Sequence, residues 1–349
     1  MKKQLFREHY SAGLMDIDKI QRRELAFQTW DSPSPDKRYN YFETLEELRD
    51  YLRTSNVSGV FSSTGYFMDP NVRDTSKRGQ LGQDLVIDID RHISGSRIEW
   101  MEDICETTTR LVNVLAEDFG FAKRDMILEF SGNKGFHILI LGKEKMTKES
   151  RSAIVNYLTG DTISRVNLEP SKGGWGKTLK ESLVLIGKGC TDNAKGNEKF
   201  LLALGLSKVQ AKKISNHATK PEIRSGLVAG RLNCIGDGKS RKAIVNWSVN
   251  SRKETFSTVD KGVTTDKNRI LRVGGSIHPK SGLVCTTIDL DDLDEPQKIF
   301  DRLKEIGGLD EVKITLTEPA IENFERMHRW EPGTYKVPRW LALHLIVQN

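Results

Sequence analysis

Leu85-Val86-Ile87-Asp88-Ile89-Asp90 decides how this chain is read, because it ends an apolar run in two carboxylates that alternate with isoleucine. On a β-strand, side chains two apart share a face about 7 Å apart, so the isoleucines pack inward while two like charges are held close together. A cation belongs between them. Where phosphoryl or nucleotidyl groups are transferred, that cation is commonly a pair of Mg²⁺ or Mn²⁺ ions, which take oxygen ligands and clamp the attacking and leaving oxygens. An Asp-x-Asp pair alone is more often the solvated face of an ordinary strand. The stronger reading needs a third carboxylate and a phosphate site.

Both are offered downstream. Ser131-Gly132-Asn133-Lys134-Gly135-Phe136-His137 links two β-rich runs, Met126 to Phe130 and Phe136 to Leu141, as in a hairpin. Backbone N–H groups freed by glycine, with Ser, Lys and His donors, make a small anion-binding surface suited to a triphosphate. A second basic cluster, Arg269-Ile270-Leu271-Arg272, precedes Ser276-Ile277-His278-Pro279-Lys280-Ser281-Gly282. His278 by itself is more often a surface or core histidine; between Arg272 and Lys280 it reads as part of a phosphate clamp. Thr258-Val259-Asp260 supplies a candidate third carboxylate, and Asp266 competes with Asp260 for the role.

Composition bounds the rest. The 349 residues, 37% hydrophobic and 29% charged, make a globular chain able to bury a proper core. Met1 to Glu8 lacks the apolar centre of a secretory signal, and no apolar run approaches membrane-spanning length. A location inside the cell and no membrane partner are expected, cytoplasmic or, in a eukaryote, nuclear. Cys105, Cys190, Cys234 and Cys285 are scattered, so neither a disulfide framework nor a local zinc site is expected. Charge is uneven: residues 171 to 280 hold 22 Lys+Arg against 8 Asp+Glu, +14 in a chain whose net charge is +6, leaving −8 elsewhere. A surplus of that size favours a polyanion such as nucleic acid.

Periodicity predicts amphipathic helices over Asp16 to Phe27, Thr44 to Leu52 and Arg97 to Phe119, and strands at Gly59 to Ser63, Gly262 to Thr264 and Ile270 to Val273. Residues 145 to 250 turn helical and polar, and Phe200 to Ser207 resembles a helix end, a glycine turn and a new helix start. The expectation is an α/β (α+β) core made of residues 1–145 and 250–349, interrupted by a basic, mainly helical insertion over 146–249.

Taken in order, Asp84 to Asp90, Ser131 to His137 and Asp260 to Lys280 resemble the catalytic small subunit of archaeal and eukaryotic DNA primases, closest to the archaeal form. Arg22 to Phe27, Val60 to Ser63 and Val337 to Ala342 add secondary matches. The resemblance implies a mixed-sheet primase core and a DNA-dependent RNA polymerase that makes short primers on single-stranded DNA during replication. It implies Asp88, Asp90 and Asp260 as catalytic metal ligands for Mg²⁺ or Mn²⁺. It implies Ser131, Lys134, His137, Arg272, His278 and Lys280, with Arg38 more distantly, as binders of the nucleoside triphosphate. A primase large subunit is the implied heterodimer partner, and deoxynucleotides are possible alternative substrates. Two departures stand out. Asn133 occupies a place where many relatives have arginine, and residues 91 to 125, with only His92 and Cys105, lack the family's usual zinc knuckle. The alternatives are a stand-alone primase-polymerase of the end-joining repair type and a catalytically inactive nucleic-acid-binding subunit. The second would have lost a metal aspartate, and none is lost here.

Overall fold

The structure, a computed structural model, describes every residue except Leu14, Ile93, Ser94, Val166, Asn167 and Glu325. The chain divides into two compact units: one assembled from Met1–Arg110, Phe121–Val155 and Val259–Asn349, the other from Leu111–Gly120 and Asn156–Thr258.

The first unit holds the acidic strand, Leu85–Asp90, in a five-stranded sheet. Its order is Thr286–Ile288, Met126–Phe130, Gly135–Ile140, Leu85–Asp90, Val259–Asp260. Leu85, Ile87 and Ile89 are fully buried with Phe130, Phe136, Ile138 and Trp100, while Asp88 and Asp90 point to the other face. Alternation therefore sorts the strand as its sequence indicates. A second, four-stranded sheet runs Ile270–Arg272, Val57–Ser63, Leu25–Thr29, Lys37–Asn40. The class is α+β as expected, but every pairing in these two sheets is antiparallel rather than mixed. The helix Arg97–Phe119 returns the chain to Met126–Phe130, and the Gly135–Ile140 strand then inserts between that strand and the acidic one.

Two expected elements change type. Asp16 to Phe27 is not a helix: Lys19 takes the left-handed conformation (φ 52°), Ile20–Arg22 makes one 3₁₀ turn, and Leu25–Thr29 is a strand of the four-stranded sheet. Gly262 to Thr264 is not a strand but the middle of a short helix, Lys261–Thr265, started by the Asp260 side chain accepting from Gly262 N and tied to the acidic strand by Thr264 Oγ1 donating to Val86 O at 2.7 Å. The helix expected at Thr44 to Leu52 is present as Leu45–Thr54, with Thr44 as its N-cap.

A buried ion pair locks the four-stranded sheet. Arg78 and Glu24 have fully buried side chains 2.8 Å apart, and Glu24 also pairs with Arg38. Removing one partner of such a pair strands the other charge in low dielectric, which costs about 3–5 kcal/mol. Arg78→Met is expected to lower the unfolding free energy by that amount, read as a lower urea midpoint at unchanged m-value. A loss below about 1 kcal/mol would show that Arg38 alone satisfies Glu24.

The second unit is helical, with Gly174–Gly189, Ala194–Ala203, Lys208–Ala218, Pro221–Val228 and Gly238–Thr255 around Leu179, Leu183, Leu201, Ile214, Leu227 and Ile244. The turn expected in Phe200 to Ser207 is there: Gly205 has φ 87° and Ser207 caps the next helix in a reciprocal box with Gln210. Among the described residues no helix is long and apolar enough to cross a membrane.

Candidate active site

Strand register alone draws a row of polar residues across the five-stranded sheet. Thr287 lies opposite Glu129, Glu129 opposite His137, His137 opposite Asp88, and Asp88 opposite Asp260. Directly opposed residues share a face with Cβ atoms roughly 4.5–5.5 Å apart, so a carboxylate from residue 260 arrives beside one from residue 88. Asp90, two residues further along, extends the same face. Its partner on the neighbouring strand is Gly135.

The electrostatics follow from this crowding. Burial pushes the Asp88 carboxyl above the usual carboxylate range; His137 opposes the shift, and Asp90 and Asp260 add to it. His137 lies between Asp88 (Nε2 to Oδ1, 3.6 Å) and Glu129 (Nδ1 to Oε2, 3.9 Å). Burial works against its charged form, but Glu129 and Asp88 outweigh burial and its pKa is raised. Asp90 and Asp260 are each met by a cation: Lys134 Nζ is 2.8 Å from Asp90 Oδ2 and Arg269 Nη2 is 2.9 Å from Asp260 Oδ2. All four side chains are between 42% and 46% exposed. Among the described residues no three His, Cys, Asp or Glu side chains already converge as a metal cage. Asp266 stands off the row, accepting from Asn268 N through its carboxylate and from Gln83 through its carbonyl.

The two basic motifs meet in one place. Ser131 N–H donates to Gly135 O to close the hairpin turn, and the Ser281 hydroxyl donates to Gly132 O. Gly132 has φ 90°, and a Cβ there would fall 3.0 Å from His278 Cβ. His278 is held neutral, down at about 2, first by burial and then by Arg272, Lys280, Arg97 and Lys134. Lys280 N–H donates to His278 Nδ1 at 3.2 Å, which leaves the proton on Nε2, free to donate to an anion. Arg272 stacks 4.5 Å over the Phe61 ring and donates to Ile277 O. Arg272, His137 and Glu129 line a cavity of about 450 Å³ that also takes in Ser62, Thr64 and Arg23. Arg38 is placed differently, its guanidinium engaged by Glu24 and by Asn268 O.

Two participants escape a reading of motifs. Glu129 is visible only through strand parity, since it alternates with buried Leu128 and Phe130 and so must share the face of His137 two residues past the turn. Arg269 is quoted in the basic cluster but carries no sign there that its partner is Asp260.

A family model described as DNA primase small subunit matches residues 87–290, more than half of the chain, from the acidic strand past Lys280. The chain belongs to the DNA primase small subunit family. It is 28% identical to DNA primase small subunit PriS of Methanosarcina mazei over 395 aligned residues, covering 99% of this chain and 94% of that protein. The PriS of Pyrobaculum islandicum is 26% identical over 359 residues, covering 99% and 96%. A solved structure of the polymerase domain of Mycobacterium tuberculosis Ligase D with DNA has a TM-score of 0.42 at 13% identity, covering 87% of this chain and 88% of that one, too loose a likeness to carry an argument. Membership makes the chain an archaeal-type primase small subunit, a nucleotidyltransferase of primer synthesis in DNA replication.

Proposed function

We propose that this chain makes primers on single-stranded DNA through a two-metal centre held by Asp88, Asp90 and Asp260, working as a heterodimer with a primase large subunit. The observation that supports it most is the register that sets Asp260 directly beside Asp88, with Asp90 on the same face. Three hard oxygen donors on one face suit Mg²⁺ or Mn²⁺. The exposed pairs with Lys134 and Arg269 are each worth about 0–1 kcal/mol, so a divalent cation displaces them readily. When bound, the metals supply the charge that acidifies the attacking 3′-hydroxyl and stabilises the pyrophosphate leaving group.

The protein's own groups hold the nucleotide. His278 offers a neutral Nε2–H, Lys280, Lys134 and Arg272 offer charge, and Ser131 a hydroxyl to the triphosphate; His137, its pKa raised by Glu129 and Asp88, stands beside Asp88. Lys134, released from Asp90, is free to turn to the same phosphates. The deciding experiment is primer synthesis on unprimed single-stranded DNA, alone and with the large subunit, using ribonucleotides and deoxynucleotides in parallel. In it, Asp260→Asn should cost about as much as Asp88→Asn and Asp266→Asn much less. The reverse ranking would move the third ligand to Asp266.

Template is assigned to a different surface. Lys213, Lys239 and Lys242 are exposed around a shallow recess of about 210 Å³ in the helical unit, with Lys208 and Lys212 nearby on the same helix as Lys213. Replacing Lys213, Lys239 and Lys242 by Ala should weaken single-stranded DNA binding and flatten its salt dependence by roughly two counterions, leaving nucleotide KM unchanged. Lys280→Ala should do the opposite, raising nucleotide KM roughly 10- to 100-fold through loss of a charge-assisted contact while the salt slope stays put. A Lys280 variant that loses only DNA affinity would sink the triphosphate role.

A further inference from the structure

Arg97 opens the long helix Arg97–Phe119, and it is a cation in an unusual setting. Its side chain is buried, with the residue only 5% exposed, yet among the described residues it has no carboxylate within ion-pair distance. Its acceptors are all neutral: Nη1 donates to Asn133 O at 3.0 Å, Nη2 to Asn133 Oδ1 at 3.4 Å, and Nε to Asn323 Oδ1 at 3.2 Å. Burial alone lowers its pKa, to about 10, and its field reaches His278 together with those of Arg272, Lys280 and Lys134. A buried guanidinium without a counter-charge is costly to keep, and of the four cations facing one neutral imidazole only Lys134 has a carboxylate partner among the described residues, which leaves the charge of Arg97, Arg272 and Lys280 to be balanced by something else.

Asn133 shows where that balance is delivered. It stands at the tip of the turn between Ser131 and Gly135, and Arg97 binds its carbonyl-type oxygen, which fixes the amide with Oδ1 turned inward. Its Nδ2 group then faces away from Arg97, and among the described residues it donates to no protein acceptor. We infer that Arg97 and Asn133 act as one anion-binding device, in which Asn133 Nδ2 contacts the triphosphate of the incoming nucleotide and Arg97 positions that amide and adds its charge from behind. This deepens the triphosphate site proposed above and rests on that reading. Asn133 stands where an arginine is expected, and here an arginine reaches the turn from a helix, bound to Asn133 itself.

The informative variant is Asn133→Asp. It is isosteric, keeps both acceptors of Arg97 and turns a neutral contact into an ion pair, so a purely structural role predicts equal or higher thermal stability with unchanged kinetics. A ligand-binding role predicts that two donors are lost and a negative charge faces the phosphates. The full chain, with Mg²⁺, is titrated with a fluorescent nucleoside triphosphate, displaced by inorganic tripolyphosphate, and assayed for primer synthesis. Expected are a melting temperature no lower than wild type, a nucleotide KM raised roughly 10- to 100-fold with kcat within about threefold, and a parallel loss of tripolyphosphate affinity. Arg97→Gln should raise KM in the same way and Arg97→Lys should recover most of it, because charge is what the position contributes. Nucleotide and tripolyphosphate affinities within twofold of wild type for Asn133→Asp would overturn the inference alone. A wild-type chain whose nucleotide is not displaced by tripolyphosphate would overturn the triphosphate site itself, and this inference with it.

Discussion

Asp88→Asn is expected to reduce primer synthesis by at least roughly 10³-fold, the loss of about 4 kcal/mol of transition-state stabilisation, while leaving the fold at least as stable as before. The two halves of that result have one cause. Asp88 is the innermost carboxylate of the row, flanked by Asp260 across the strand pair and followed by Asp90 on the same face. Its nearest basic partner is His137 at 3.6 Å, which keeps Glu129 as a second partner if Asp88 becomes an amide. In the metal-free protein the substitution relieves repulsion; in the proposed two-metal centre it would remove a ligand that no neighbour can replace. Primer synthesis and a melting curve without divalent cations, run on the same preparation, check both. Substantial residual synthesis would remove Asp88 from the metal centre, and a large drop in melting temperature would mean that the row stabilises the sheet rather than straining it.

Gly135→Ala should be nearly as damaging, without touching a charged group. A Cβ on residue 135 would lie 2.3 Å from the Ile89 carbonyl oxygen, far inside contact distance and against backbone that cannot rotate away. The two strands must separate just where Asp90 pairs with Gly135 and where Lys134 meets Asp90. A displacement of about 1 Å at a reacting centre is worth roughly 100-fold in rate, and overpacking of this kind costs about 1–3 kcal/mol in stability. Gly236→Ala is the control, since a Cβ there meets nothing within 4 Å and should leave both quantities alone. Comparable activity in the two variants would mean that the hairpin yields without moving Asp90 on the neighbouring strand.

The parts of this architecture that could be read in advance are those whose periodicity is local. The acidic strand alternates buried isoleucine with aspartate on the opposite face, Arg97–Phe119 repeats at helical spacing, and the Gly132 and Gly135 turn separates two β-rich runs; each carries its own signal over a few residues. Leu25–Thr29 does not, because Leu25 through Gln28 are all buried and a continuous buried run has no alternation to distinguish it from a helix. Lys261–Thr265 fails for the opposite reason. Its β-branched residues suit a strand, and a capping aspartate and one hydroxyl tied to the acidic strand override them. In the candidate site, motif order is enough to nominate Asp88, Asp90, His137 and His278. Glu129, the engagement of Arg38 by Glu24, and the attachment of Arg97 to Asn133 depend on which strands and helices come together, and no local pattern encodes that.

The division of the first unit into three stretches of chain also sets an order of events during synthesis. Both edges of the five-stranded sheet, Val259–Asp260 and Thr286–Ile288, and one edge of the four-stranded sheet, Ile270–Arg272, leave the ribosome only after the entire helical unit. That unit has its own buried core and can collapse while the ribosome is still translating. The nascent sheets must meanwhile wait with open edges and a pair of unopposed aspartates, and their closing contacts carry the long sequence separation that makes folding slow. If the proposed site is right, a chain caught at that stage holds two of its three metal aspartates and lacks the second phosphate clamp. On that reading catalytic competence waits for the last third of translation, and an interrupted product is expected to be inert rather than partly active.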